Sequence, residues 1–186
     1  KLLLPSTPYD VKGLLKTAIR DNNPVIVFES ERLANYRGNV PDKDYCIPIG
    51  DADIKRPGSD VTIVALAWLV HEALDAATEL AELGISAEVI DPRSLAPMDK
   101  KTLCHSVQKT GRLVVADEAG PTAGASAEII SIVTEDGPTF RTLKCPVRRV
   151  CALPVPVPYS PGLEDHVFPD KTQIIDAVIE MMGDTY

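Results

Sequence analysis

Apolar and polar positions divide the chain into a leading strand–helix–strand piece, an aperiodic middle and a regular second half. Lys1–Leu4 reads as a strand. Thr7 before Pro8 predicts an N-cap with proline at the first helical position. Val11, Leu14, Leu15, Ala18 and Ile19 then mark one helix face. Arg20–Pro24 ends that helix, because a residue before proline avoids the helical region. Pro24–Glu29 predicts the next strand. Such a piece cannot bury both its faces alone, which predicts sheet neighbours preceding Lys1. Glu31–Gly58 has no helical period and carries repeated proline and glycine. It predicts an ordered crossing segment with short strands around Cys46–Ile49 and Ala52–Lys55, and a domain boundary near Gly58.

From Asp60 the pattern is regular. Val61–Ala67 predicts a strand, and Val70, Ala73, Leu74, Ala77, Leu80 and Ala81 a helix face closed by Gly84. Ile85–Ile90 predicts a strand and Asp91-Pro92-Arg93 a turn. Asp99 caps a helix that runs through Lys109 and closes at Gly111. Gly111–Ile130, GRLVVADEAGPTAGASAEII, is the organising stretch. The run Leu113–Ala116 suits a buried strand, Asp117 and Glu118 stand at its end, and small residues lead to a helix bearing Ala125, Ile129, Ile132 and Val133. Val147–Ala152 predicts a further strand, Leu153–Gly162 a proline-dense loop, and Lys171–Met182 a last helix with Ile174, Ile175, Val178, Ile179 and Met182 inward. Alternating strands and helices predict an α/β fold of three layers, a mostly parallel sheet with helices on both faces.

Composition narrows the partners. The chain has 186 residues, 45% of them hydrophobic but only 5% aromatic, which favours an aliphatic core. Its net charge of −8 argues against nucleic acid and anionic membrane and for a basic protein partner. Cys46, Cys104, Cys145 and Cys151 form no CxxC pair, which predicts buried thiols in a reducing cytosol. No apolar run reaches transmembrane length. The chain opens at Lys1 straight into an apolar run, which predicts a piece of a longer protein.

In open α/β sheets ligands bind in the crevice at strand carboxyl ends. Asp117, Glu118, Thr122 and the Gly120–Gly124 loop are therefore candidates, against the alternative that the loop only connects, with Thr122 or a neighbour as N-cap. The glycines form neither GxGxxG nor a P-loop. His71, at the start of the first helix after Gly58, reads either as an acid or base lining that crevice or as a helix-end histidine touching solvent or a subunit. His105 reads as a surface residue and His166 as a loop residue. The three make no zinc ligand set, and Ser126 lacks a GxSxG context. Composition and spacing yield no self-sufficient catalytic set.

Four stretches, in order, carry a resemblance: PSTPYDVKGLLKTAIRDNNPVIVFE at Pro5–Glu29, EVIDPRSLAPMD at Glu88–Asp99, TGRLVVADEAGPTAGASAEI at Thr110–Ile129 and PVPYSPGLED at Pro156–Asp165. Together they resemble the β-subunit of thiamine-dependent 2-oxo acid dehydrogenases of the pyruvate and acetoin type. The resemblance implies a transketolase C-terminal domain at 59–186, preceded at 1–58 by the end of a pyrimidine-binding domain. It implies thiamine diphosphate and Mg²⁺ in the full enzyme, bound with the α-subunit through residues that precede Lys1, so no catalytic or cofactor-binding residue is carried over. It implies three partners: the α-subunit, a second β-subunit, and the small basic peripheral subunit-binding domain of the acyltransferase. A cytoplasmic or mitochondrial-matrix location goes with it. It also implies a structural K⁺ held by the carbonyls of Ala18, Asp21 and Asn23; plain capping by Asn22 or Asn23 is the alternative. The competing resemblance is to the C-terminal domain of transketolase or deoxyxylulose phosphate synthase.

Overall fold

The computed structural model describes residues 1–183. Three five-residue strands form its centre: β4 (Val61–Ala65), β5 (Ala87–Asp91) and β7 (Leu113–Asp117), each buried along its whole length. Continuous apolar runs suit strands covered on both faces. β3 (Asp53–Arg56) and β8 (Arg148–Cys151) complete a five-stranded sheet in the order β3-β5-β4-β7-β8, with β3 antiparallel and the others parallel.

Alternation along β4 sorts the core into two layers. Val61, Ile63 and Ala65 face α2 (Leu69–Glu82) and α7 (Lys171–Gly183), where Val70, Ala73, Leu80, Ile174 and Val178 pack against them. Val64 points the other way, among Leu103 and Val107 of α3 (Lys100–Thr110) and Ile129 and Val133 of α4 (Ala125–Glu135). Each fully buried aliphatic side chain is worth about 1.5–3 kcal/mol, so these layers hold the unit together. The caps follow the sequence. Asp99 accepts the Thr102 N–H at 3.0 Å, and Gly111 ends α3 at φ 73°. At Gly84 (φ 79°) the Ile85 N–H reaches the Leu80 carbonyl, closing α2 in a Schellman turn. Between β4 and α3 lies a polar seam: Thr62 Oγ1 meets Ser106 Oγ at 2.7 Å and Thr110 Oγ1 at 2.8 Å, and Ser106 donates to buried Glu88.

A second sheet, β2-β1-β6, joins β1 (Leu2–Leu3), the parallel β2 (Ile26–Val27) and the antiparallel β6 (Ser94–Ala96). α1 (Pro8–Arg20) crosses between its parallel strands, with Thr7 accepting the Asp10 N–H at 3.1 Å. Sheet membership crosses Gly58: β3 precedes it but lies in the large sheet, and β6 follows it but lies in the small one.

Several expectations change. Cys46–Ile49 is not a strand: the Ile47 N–H donates to the Gly13 carbonyl and Thr17 Oγ1 donates to the Ile47 carbonyl at 2.7 Å, so α1 takes up its backbone groups. On α1 the packed side is Asp10, Gly13 and Leu14, while Val11, Leu15 and Ile19 are exposed. Ala76 rather than Ala81 is inward on α2, and Ile179 is exposed on α7. The thiols are not uniformly buried: Cys145 is, Cys104 and Cys151 are half-buried, and Cys46 is exposed. Pro161–Val167 forms the helix α6, which begins within the last two residues of the expected Leu153–Gly162 loop and takes in His166, and Gly137–Phe140 forms the short helix α5.

Candidate functional site

β4 and β7 are parallel neighbours, with Ala65 beside Ala116. The chain leaves β4 through α2 toward β5 on one side and enters β7 from α3 on the other, which makes their carboxyl ends the switch point of the sheet. Asp117 and Glu118 stand there, as the sequence implies.

The two acids have separate partners. Asp117 Oδ1 accepts the Ala119 N–H at 3.0 Å and Oδ2 accepts the Ser126 N–H at 2.9 Å. The strand-end carboxylate thus caps α4, whose N-cap residue Gly124 has no side chain to do so. A Cβ on Gly124 would lie 2.7 Å from the Gly120 carbonyl oxygen and 3.1 Å from Asp117 Oδ2, so the loop closes only on glycine. Thr122, the residue named as a candidate N-cap, is exposed and makes no cap bond.

Glu118 turns toward the crevice. Its Oε1 accepts the Trp68 N–H at 2.8 Å, and Ser30 Oγ donates to both oxygens at 3.1–3.2 Å. Ala67, at φ 48°, makes the left-handed step between β4 and α2 just before Trp68. Burial pushes the Glu118 carboxyl above its ordinary range, against the opposing pull of the Trp68 N–H, the Ser30 hydroxyl and Arg32. Arg32, on the 3₁₀ turn Glu31–Leu33, lies over Phe168 (4.7 Å to the ring centre) and Trp68 (5.6 Å), and pairs with Glu164 at 3.4 Å and Asp165 at 3.2 Å of α6. Segment 30–32 therefore closes the crevice, and both Glu118 oxygens are engaged. The site is a joint between chain segments rather than an open acid–base pair.

His71 reaches back to the chain just after β1. Its Nε2 is 2.8 Å from the Ser6 carbonyl oxygen, which only accepts, so Nε2 carries the proton. Its ring packs on Tyr36 with centroids 4.0 Å apart. His105 and His166 are both exposed, and His166 belongs to α6.

Sequence reasoning missed a cavity of about 790 Å³ at the carboxyl ends of β1 and β2. Ser6, Thr7, Val11, Leu15, Phe28 and Tyr36 line it. The signal was available in the parallel strands that end just before Pro5 and Phe28, the same strand-end rule that drew attention to Asp117. Its lining is mainly apolar and brings no nucleophile–base pair together.

At the end of α1 the Ala18 carbonyl accepts the Asp21 N–H at 3.2 Å. The Asp21 carboxylate accepts from Lys1 Nζ and from the Asn23 N–H at 2.8 Å. These bonds hold that carboxylate far below the usual range, the Lys1 ammonium contributing most. A helix C-terminus with an anionic side chain suits a hard monovalent cation in donor chemistry. Among the described residues no three His, Cys, Asp or Glu side chains gather as a metal-holding group.

The family model for the transketolase C-terminal domain matches residues 50–174. The chain belongs to the transketolase C-terminal domain family. A relative from Bacillus subtilis, acetoin:2,6-dichlorophenolindophenol oxidoreductase subunit beta, is 46% identical over 99% of this chain and 53% of its own length. The mitochondrial pyruvate dehydrogenase E1 component subunit beta of Drosophila melanogaster is 42% identical over 98% of this chain and 51% of its own. The chain spans about half the length of the curated relatives it matches. A solved structure described as a split gene transketolase, an inactive beta4 tetramer, superposes with a TM-score of 0.80 at 26% identity, covering 100% of this chain and 57% of that one. In this transketolase C-terminal domain the Asp117–Gly124 loop fastens α4, and Glu118 fastens the segment that precedes the domain. Among the described residues no helix is long and apolar enough to cross a membrane.

Proposed function

We propose that this chain is part of the β-subunit of a thiamine-dependent dehydrogenase complex that decarboxylates a 2-oxo acid or cleaves acetoin and passes the acyl group to lipoamide. Residues 1–58 are the end of its pyrimidine-binding domain and 59–186 its transketolase C-terminal domain. The observation that carries the reading is 46% identity to an acetoin oxidoreductase β-subunit across 99% of the chain. The crevice geometry supports an assembly role for this portion, because the switch point is closed by side chains. The charge of −8 suits docking of a small basic acyltransferase domain through complementary potentials. Thiamine diphosphate and Mg²⁺ belong to the assembled enzyme with its α-subunit, and a cytoplasmic or matrix location follows from the same reading. The carbonyls of Ala18, Asp21 and Asn23 are its proposed K⁺ ligands.

Calorimetric titration with thiamine diphosphate and Mg²⁺, of the chain alone and then with the α-subunit, tests the cofactor assignment. No binding by the chain alone is expected; binding there would return the cofactor site to these residues. Co-purification with the α-subunit is the companion test, and failure to associate would sink the subunit assignment. A second reading, the C-terminal domain of a transketolase, draws on the 26%-identical solved structure. Acyl transfer to lipoamide against ketol transfer between sugar phosphates, measured on the assembled enzyme, separates the two.

A further inference from the structure

Where α1 meets the large sheet, five charged side chains gather, four of them largely out of water and Asp53 partly exposed. Asp10 is fully buried and Asp91, at the end of β5, is 1% exposed. Lys55 Nζ lies 2.8 Å from Asp10, 2.8 Å from Asp53 and 3.6 Å from Asp91. Arg93 Nη1 lies 3.2 Å from Asp10 and 3.8 Å from Asp53. Ser6 Oγ donates to Asp91, Thr7 Oγ1 donates to Asp10 at 2.5 Å, and His71 holds the Ser6 carbonyl from α2. Arg93 itself sits at φ 55°, with its N–H on Asp91 Oδ1 at 2.9 Å. Three carboxylates thus face two cations. One negative charge is in excess in a poorly solvated place, which is costly unless a proton neutralises it. Asp91 is buried, and the nearer of the two cations, Lys55, stands 3.6 Å from it.

We propose that this cluster is a pH-responsive latch between the two sheets. With Asp91 protonated the charges balance, and Ser6, Thr7 and α1 stay fastened to β3 and β5. With Asp91 ionised one buried charge is left over, and the Ser6–Thr7 turn opens more often. Ser6 and Thr7 also line the large cavity, so the latch sets how firmly one wall of that cavity is held.

Burial pushes the Asp91 carboxyl up from 3.8 to about 6, against the pull of Lys55 and Ser6. Asp10 goes the other way: despite burial, Lys55, Thr7 and Arg93 hold it below its ordinary value. A folded-state value above the unfolded one means the latch is strongest at low pH and weakens as pH rises from about 4 through about 6. Asp10 has the opposite sign and acts only on the acid side of that window.

Hydrogen exchange of the α1 amides across pH, corrected for intrinsic chemistry, tests the latch in the full chain. Opening that restores Asp91 to its ordinary value predicts an increase of about tenfold in open population between pH ~5 and ~7.5. Asp91→Asn is expected to flatten the profile. His71→Asn is expected to keep it. Asp53→Asn, a change at a partly exposed position, frees Lys55 for Asp91 and is expected to move the rise to lower pH. A flat wild-type profile, a rise that survives Asp91→Asn, or loss of the rise in His71→Asn would overturn the proposal. Should Asp91→Asn not fold, an unmoved midpoint in Asp53→Asn would overturn it equally.

Discussion

Glu118 accepts the backbone N–H of Trp68 at 2.8 Å, across fifty residues of chain, and so ties the end of β7 to the start of α2. The same carboxylate accepts from Ser30. Glu118→Ala removes the acceptor and leaves a part-buried N–H without it, a loss of about 1–3 kcal/mol in denaturant unfolding at neutral pH. Because burial raises this carboxyl, its ionisation weakens the fold as pH climbs above the ordinary glutamate range. Glu118→Gln is expected to reduce that decline while keeping an acceptor for Trp68; an unchanged pH profile would count against the assignment.

Asp117 substitutes for a missing N-cap side chain. Asp117→Ala is expected to cost about 1–2 kcal/mol and to raise exchange in the first turn of α4. Asp117→Asn, which keeps one oxygen acceptor, is expected to cost less. Equal losses in the two variants would contradict a capping role.

Gly58 is a site of close backbone approach. A Cβ there would come within 2.2 Å of Ala87 C and Glu88 N, so the clash is with main chain rather than a movable side chain. Gly58→Ala is predicted to destabilise by about 1–3 kcal/mol, read as a lowered melting temperature. Gly162→Ala, where a Cβ meets nothing within 4 Å, is the control and should leave it unchanged.

Arg32 joins two acids and two aromatic rings. Arg32→Lys keeps the charge but loses the planar stacking and fork geometry. Exchange at Glu31–Leu33 is therefore expected to rise in the lysine variant nearly as much as in Arg32→Ala. Full protection in Arg32→Lys would make the ion pairs alone sufficient.

The α1 terminus predicts selectivity among monovalent salts. At matched ionic strength, K⁺ is expected to raise the melting temperature above Na⁺ for the assembled protein. Equal values would leave Ala18, Asp21 and Asn23 with capping as their only role.

The periodic half of the chain was legible because burial writes itself as period. Val61, Ile63 and Ala65 alternate, and Asp99 and Gly111 are local signals read from a few neighbours. The acids at the strand end were legible as a place, not as a role. Nothing near Asp117 in sequence says that its partner is Ser126, and the bond from Glu118 to Trp68 is long-range. Val11, Leu15 and Ile19 misled because an apolar stripe marks a face without saying what covers it, while α1 packs through Gly13 and Leu14 beside charged Asp10. The Asp10–Lys55–Asp91–Arg93 cluster was invisible, since each member reads alone as a surface charge. α6 was hidden by proline density, although Pro161 merely occupies its first turn.

The exchange of strands across Gly58 means that no single backbone cut yields two complete sheets. Cutting before Asp53 keeps the large sheet whole but strips β6 of β1; cutting after Ala96 does the reverse. The two units are braided rather than strung together. A chimera that exchanged one half with a relative would have to inherit a matched edge from the other, and a lesion in either sheet is expected to be felt in both.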